Sequence, residues 1–137
     1  MKIELAKYLN VKDIEEQIKD AFIVEKGDYI LYEKRARISV DDVFNQTHIF
    51  IADIHYIEVV DGLLEVNTGD KKYRSTMVLR DLEIAPLIRI NKSCLVNLEY
   101  VEDIKVKMNM KYSLRIDNRW FDVNRTYYAS FKDALNL

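Results

Sequence analysis

Leu87-Ile88-Arg89-Ile90-Asn91-Lys92-Ser93-Cys94-Leu95-Val96-Asn97-Leu98-Glu99-Tyr100-Val101 is the stretch on which the fold turns. Two apolar runs, Leu87 to Ile90 and Leu95 to Leu98, flank a polar break at Asn91-Lys92-Ser93. Each run is too short for a helix and rich in β-branched and aliphatic residues, so each reads as a buried strand with a turn between them. The same grammar extends in both directions. Upstream lie His48 to Ile51, Tyr56 to Val60, Leu63 to Asn67 and Lys71 to Ser75. Asp61-Gly62 is the strongest hairpin signal, because both central positions of such a turn need positive φ. Ser75 or Thr76 is expected to cap a short helix through Leu82, ended before Pro86. Downstream, Val101 to Lys107, Lys111 to Ile116 and Arg119 to Val123 form a meander turning at Met108-Asn109-Met110 and at Asp117-Asn118. Met108 and Met110 read either as an exposed apolar tip or as irregular core filling, the commoner role of methionine. Asn124 to Leu137 closes the chain as a helix with Tyr127 or Tyr128, Phe131 and Leu135 inward.

The first 46 residues differ. Val11, Ile14, Ile18, Ala21 and Phe22 recur at spacings of three and four and predict an amphipathic helix, with Asn10 as N-cap, Asp13 in the first turn and Gly27 as the stop. Its apolar stripe is expected to pack on a sheet or on a second copy. Ile30, Tyr32, Ala36, Ile38 and Val40 then alternate with polar residues as a strand, and Ser39 to Asn45 is read as a helical turn capped by Ser39. The fold class is therefore mainly β with short helices, in two parts: a helix-strand extension over residues 1–46 and a β-rich domain over 47–137.

Composition narrows the function. The chain has 137 residues, one domain's worth, with 3 glycines, 1 proline and a lone Cys94. An intramolecular disulfide and a cysteine-built zinc site are excluded. His48 and His55 lie seven apart near Asp53 with no third histidine, and read as ordinary residues at a sheet edge. Neither a glycine-rich phosphate loop nor a nucleophile elbow is present, and Asp41-Asp42 reads as a solvated strand end. No catalytic residue, metal, cofactor or small-molecule substrate is expected, nor a membrane segment, and the expected location is cytoplasmic. Net charge is −2, but residues 1–69 hold 8 Lys/Arg against 14 Asp/Glu, and residues 70–137 hold 13 against 9. A basic second half is an electrostatic footprint that nucleic acid would fit, or else an uneven scatter of solvated charge.

Three blocks, in order, make the reading specific. Asp53-Ile54-His55-Tyr56-Ile57-Glu58, the stretch Leu87 to Val101, and Phe121-Asp122-Val123-Asn124-Arg125-Thr126-Tyr127 together resemble the signature of LytTR-type DNA-binding domains. The resemblance covers residues 47–137. It implies small antiparallel sheets stacked in an elongated arrangement and DNA binding without a helix-turn-helix, by loops that enter successive major grooves of double-stranded DNA at direct repeats bound by two copies. It departs from the family pattern at Asn91 and Lys92, which stand for His-Arg, at Cys94, which stands for an aromatic residue, and at Asp61 to Leu64, where an acid and two leucines occupy the first base-reading loop.

On this reading Lys92, Arg125 and Asn91 contact bases, while Ser93, Asn124, Thr126, Arg119 and Lys72 hold the DNA backbone. Lys105 and Lys111 are further candidates for a sequence-independent positive field. Lys92 replaces the bidentate fork of Arg with a point charge. The alternatives are an ion pair between Arg125 and Asp122, a solvated Lys92, and Asn124 as the helix N-cap. Cys94 is either inert and buried or activated by Lys92. With no receiver domain ahead of residue 1, activity is expected to be set by abundance, by dimerisation through the N-terminal helix, or by a sequestering partner such as a small membrane inhibitor. The rival is a protein-interaction module that keeps the fold and has lost DNA binding.

Overall fold

A computed structural model of the chain describes residues 2–6, 9–18, 22–25, 27, 29–33 and 35–135. Thirteen strands among them form three sheets. The central sheet is antiparallel and seven-stranded: β4 (Arg37–Asp41), β5 (Gln46–Phe50), β6 (Tyr56–Val60), β7 (Leu63–Asn67), β8 (Lys72–Ser75), β9 (Leu87–Asn91) and β10 (Cys94–Asn97), ordered β5-β4-β8-β7-β6-β10-β9. A three-stranded meander of β11 (Asp103–Val106), β12 (Tyr112–Ile116) and β13 (Arg119–Asp122) packs on it. Near the N-terminus β1 (Lys2–Leu5) runs parallel between β2 (Phe22–Ile23) and β3 (Tyr29–Leu31). Two short helices remain, α1 (Val11–Gln17) and α2 (Tyr128–Leu135). None is long and apolar enough to cross a membrane.

The alternation of β10 explains why the meander needs the central sheet. Leu95 faces one cluster with Ile38, Val40, Ile54, Ile57, Leu64, Val66 and Leu82. Cys94 and Val96 face the other way, onto Ile90, Leu114, Ile116, Phe121, Val123 and Phe131. All four residues of β10 are buried, so the run reads as nearly continuous apolar sequence instead of alternating. Each aliphatic or aromatic side chain sealed this way contributes about 1.5–3 kcal/mol. Asn97 is the polar exception. Its amide donates to Ile54 O at 2.8 Å, and its Oδ1 accepts from Glu99 N at 2.9 Å.

The turns follow their sequences. Asp61 and Gly62 have φ of 51° and 78°, and Asp117 and Asn118 have 51° and 61°, the paired left-handed geometry that suits a twisted hairpin. The expected hairpin of β6 and β7 forms in register, Val60 opposite Leu63 and Tyr56 opposite Asn67.

Five expectations fail, most of them for tertiary reasons. α1 starts at the Asn10 cap, whose Oδ1 accepts from Lys12 N and Asp13 N, but ends at Gln17 and has no buried residue. Phe22 and Ile23 pair with Lys2 and Ile3 instead, and Ala21 lies outside the described residues. Gly27 does not stop the helix. A Cβ there would sit 2.8 Å from Lys2 O, so the residue is small because β1 passes against it. Ser39 to Asn45 is not a helical turn: Ser39 lies in β4 opposite His48, and Asp42 N donates to Asn45 O at 2.8 Å to close a hairpin. The expected strand from Ile30 to Val40 is two, because β3 serves the N-terminal sheet while β4 pairs with β5 and β8. Ser75 caps no helix either; its Oγ accepts from Met77 N, and the short 3₁₀ turn at Leu79–Leu82 follows a Val78 with no capping side chain.

Candidate nucleic-acid interface

The turn between β9 and β10 is built by its own side chains. Asn91 Oδ1 accepts from Ser93 N at 2.8 Å and from Ser93 Oγ at 3.1 Å, an Asx turn. Arg89 braces it from the strand, donating Nε to Asn91 O at 3.2 Å and Nη2 to Lys92 O at 2.6 Å. Glu83 lies 3.6 Å from the same guanidinium. With its carbonyl pinned, Lys92 projects its exposed side chain from a fixed backbone, and no ion pair reaches it among the described residues. Ser93 O accepts from Val59 N at 2.9 Å, which sets the exposed Asp61-Gly62 turn at the same end of the sheet.

Arg125 stands one strand away. β13 leaves the meander, and Asn124 N donates to Ile90 O at 2.8 Å, so the start of the terminal helical segment is hydrogen-bonded to the strand that carries Asn91. Asn124 Oδ1 accepts from Thr126 N at 3.0 Å, making Asn124 the N-cap of the turn Arg125–Tyr127 that leads into α2. The alternative pairing of Arg125 with Asp122 does not form. Asp122 accepts from Ser113 Oγ at 2.5 Å and from Lys107 Nζ at 3.3 Å, and the Ser113 hydroxyl, then the lysines, hold its carboxyl below the ordinary value. Arg125 is exposed and unpaired among the described residues. A cleft of about 670 Å³ joins the two segments, lined by Asn91, Lys111, Asp122, Asn124, Arg125 and Tyr128.

The sequence-predicted set therefore divides. Asn91, Asn124 and Arg125 line one cleft with Lys111 from the meander, while Lys92 and Ser93 follow Asn91 in its turn and Thr126 follows Arg125. Arg119 does not join them as a free cation. Its guanidinium clasps Glu58 with two hydrogen bonds of 2.9 and 2.5 Å and lies over the Phe121 ring at 4.5 Å. Lys72 is at the other end of the central sheet, opposite Asn67, and pairs with Glu65 at 3.4 Å. Lys105 lies over the Trp120 ring at 4.4 Å.

Cys94 is buried, and desolvation with the nearby Glu58 pushes its thiol up to about 12, so activation by Lys92 does not occur. His55 is a tie between sheets: Nδ1 meets Asp117 at 2.8 Å, and the ring stacks on Tyr100 at 3.8 Å. Sequence reasoning missed Arg89 as the brace of the Lys92 turn. The available signal was an Arg placed two residues before an Asn-x-Ser turn.

The profile of the LytTr DNA-binding domain matches residues 45–136. The chain is 30% identical over 129 residues to the sensory transduction protein LytR of Staphylococcus epidermidis, covering 87% of this chain and 50% of that protein. It is 33% identical over 90 residues to the sensory transduction protein LytT of Bacillus subtilis, covering 62% of this chain and 37% of that one. The chain thus spans half or less of the length of these curated relatives. The fold matches the LytTr DNA-binding domain of a methyl-accepting/DNA response regulator from Bacillus cereus with a TM-score of 0.67 at 19% identity, over 74% of this chain and 97% of that domain. With the profile covering most of the chain and the architecture agreeing, the protein belongs to the LytTr DNA-binding domain family.

Proposed function

We propose that this protein is a sequence-specific transcription regulator that reads double-stranded DNA with the Lys92 turn and the Arg125 junction. One observation carries the reading: two cationic side chains distant in sequence, neither with a carboxylate partner among the described residues, project from segments joined by the Asn124–Ile90 hydrogen bond. Arg125 offers a bidentate fork to guanine O6 and N7, Lys92 a point charge, and Asn91 its free amide Nδ2. Lys111 and the Thr126 hydroxyl supply phosphate contacts, which position the protein without reading sequence, while Ser93 is spent on shaping the turn. Arg119 and Lys72 stand outside this set because each is already neutralised. Two copies on direct repeats place this pair of segments in successive major grooves. Residues 1–46 serve dimerisation or regulation, with the Tyr32 hydroxyl hydrogen-bonded to Glu99 as one tie to the domain.

Selection of bound duplexes from genomic fragments tests this reading. The wild-type chain should recover fragments with paired repeats, bound with a log-log salt slope of about −0.9 per phosphate neutralised. Lys92→Ala with Arg125→Ala should recover none. If the wild-type chain binds no duplex at low salt, the interaction-module reading replaces this one.

A further inference from the structure

The apex between β11 and β12 presents apolar side chains where a turn ordinarily carries polar ones. Met108 is fully exposed and Met110 is 67% exposed, so neither fills the core. The apex is nonetheless fixed. Lys107 N donates to Lys111 O at 2.8 Å, Met110 N to Lys107 O at 2.9 Å, and Lys111 N to Asn109 Oδ1 at 3.3 Å. Met110 has φ of 63°, a left-handed conformation that glycine or asparagine would adopt more easily. An exposed methionine pair held in a costly backbone is not explained by the hairpin's own stability.

Its surroundings identify what it meets. Residues 104–111 contain Lys105, Lys107 and Lys111 and no acid. Lys111 lines the same cleft as Arg125 and Asn91, so the apex borders the proposed base-reading surface. Lys107 is held by Asp122 at 3.3 Å, so Lys111 is the cation this apex offers to a phosphate. An apolar point flanked by lysines fits a narrow groove with negative walls. The minor groove has that character, and proteins that use it insert Met, Leu or Phe between base steps while basic groups hold the strands on either side. The major groove rewards strong donors and acceptors, and a thioether is no donor and only a weak acceptor.

We infer that the Met108-Asn109-Met110 apex is a third DNA contact, an apolar wedge entering the minor groove beside the two base-reading segments, with Lys111 on a flanking phosphate. The inference rests on the DNA-binding reading above, and the experiment separates their failures.

The probe is the duplex that the full wild-type chain recovers from a random-sequence pool, with its bend measured by end-to-end fluorescence transfer. The wild-type chain should bend this duplex by about 20° or more, because unstacking one step kinks the helix. Met108→Ala/Met110→Ala should weaken binding about threefold to tenfold and reduce the bend while leaving the salt slope unchanged, since no charge is removed. Lys111→Ala should instead shallow the slope by about 0.9. Both changes are at exposed positions, and an unchanged melting temperature checks the fold. If the double methionine variant keeps wild-type affinity and bend while Lys92→Ala with Arg125→Ala abolishes site preference, the wedge is overturned and base reading stands. Should the wild-type chain recover no duplex, both fall together. Should the double variant lose binding to vesicles of phosphatidylglycerol and phosphatidylcholine while keeping its DNA behaviour, the apex serves a membrane surface and the wedge is overturned.

Discussion

Lys92 and Arg125 on one side, Arg119 and Lys72 on the other, are four cations of one basic half, and the structure treats them oppositely. Glu58 grips Arg119 through two hydrogen bonds, and Glu65 sits 3.4 Å from Lys72. The carboxylate nearest in sequence to Arg125, Asp122, is drawn off by Ser113 and Lys107. A cation is available to a phosphate or a guanine when the fold has supplied its neighbouring acid with another partner. Counting charges locates a basic region; following each acid to its donor locates the surface.

The largest effect expected from this contrast is on Arg125→Ala. Removing a bidentate base contact should cost about 1–3 kcal/mol and relax specificity at one position, and combining it with Lys92→Ala should erase site preference in a competition titration. Equal discrimination by wild type and double variant would break the comparison outright. Next comes Arg89→Ala, which frees two turn carbonyls and leaves Lys92 on a loosened backbone. Its expected cost is about 1 kcal/mol in urea unfolding, with a matching loss of DNA affinity. Arg89→Lys should recover part of the first and little of the second, since one ammonium cannot span both carbonyls.

Smaller again is the clasp at Glu58. A double-mutant cycle of Glu58→Gln and Arg119→Ala should give a coupling below about 1 kcal/mol, because the pair is half exposed, and neither change should alter the salt slope of DNA binding. A slope that shallows in Arg119→Ala would return that residue to the interface.

The Ser113–Asp122 contact gives a pH signature. The folded carboxyl lies below its ordinary 3.8, so the stabilisation is complete above that value and drains away as pH falls through the folded pKa. Ser113→Ala should lower stability at neutral pH by what this contact supplies and flatten the acid-unfolding curve below about pH 4, so that variant and wild type converge as pH falls. Least of all, Lys72→Ala should leave affinity and slope as they are.

The fold was legible where local chemistry and tertiary pairing agree. Asp61-Gly62 and Asp117-Asn118 specify hairpins by backbone geometry alone, and the strands beside them lie where period-two patterning puts them. It was illegible where a distant strand decides. Phe22 fits a helical stripe until β1 offers it a partner 20 residues upstream, and the helical reading of Ser39 to Asn45 gives way to pairing with β5 and β8. The site divides in the same way. Asn91, Lys92, Ser93, Asn124 and Arg125 stand in motifs whose order survives in one sequence. That Arg119 is spent follows from Glu58, sixty-one residues earlier, through a contact that no spacing rule connects. The methionines of the third turn illustrate the limit from the other side: residue type favours the interior, and the meander's register leaves them outside.

The hydrogen bond from Asn124 N to Ile90 O has a geometric meaning beyond cohesion. It welds the roots of two fingers, so the spacing of their backbones is set by the fold and only the side chains can adjust to a target. On the proposed reading, such a callipers-like grip on duplex DNA would measure helical phase as well as letters. Inserting a single base pair between the two contacted steps rotates one of them by about a tenth of a turn and carries it out of reach, however perfect each half remains.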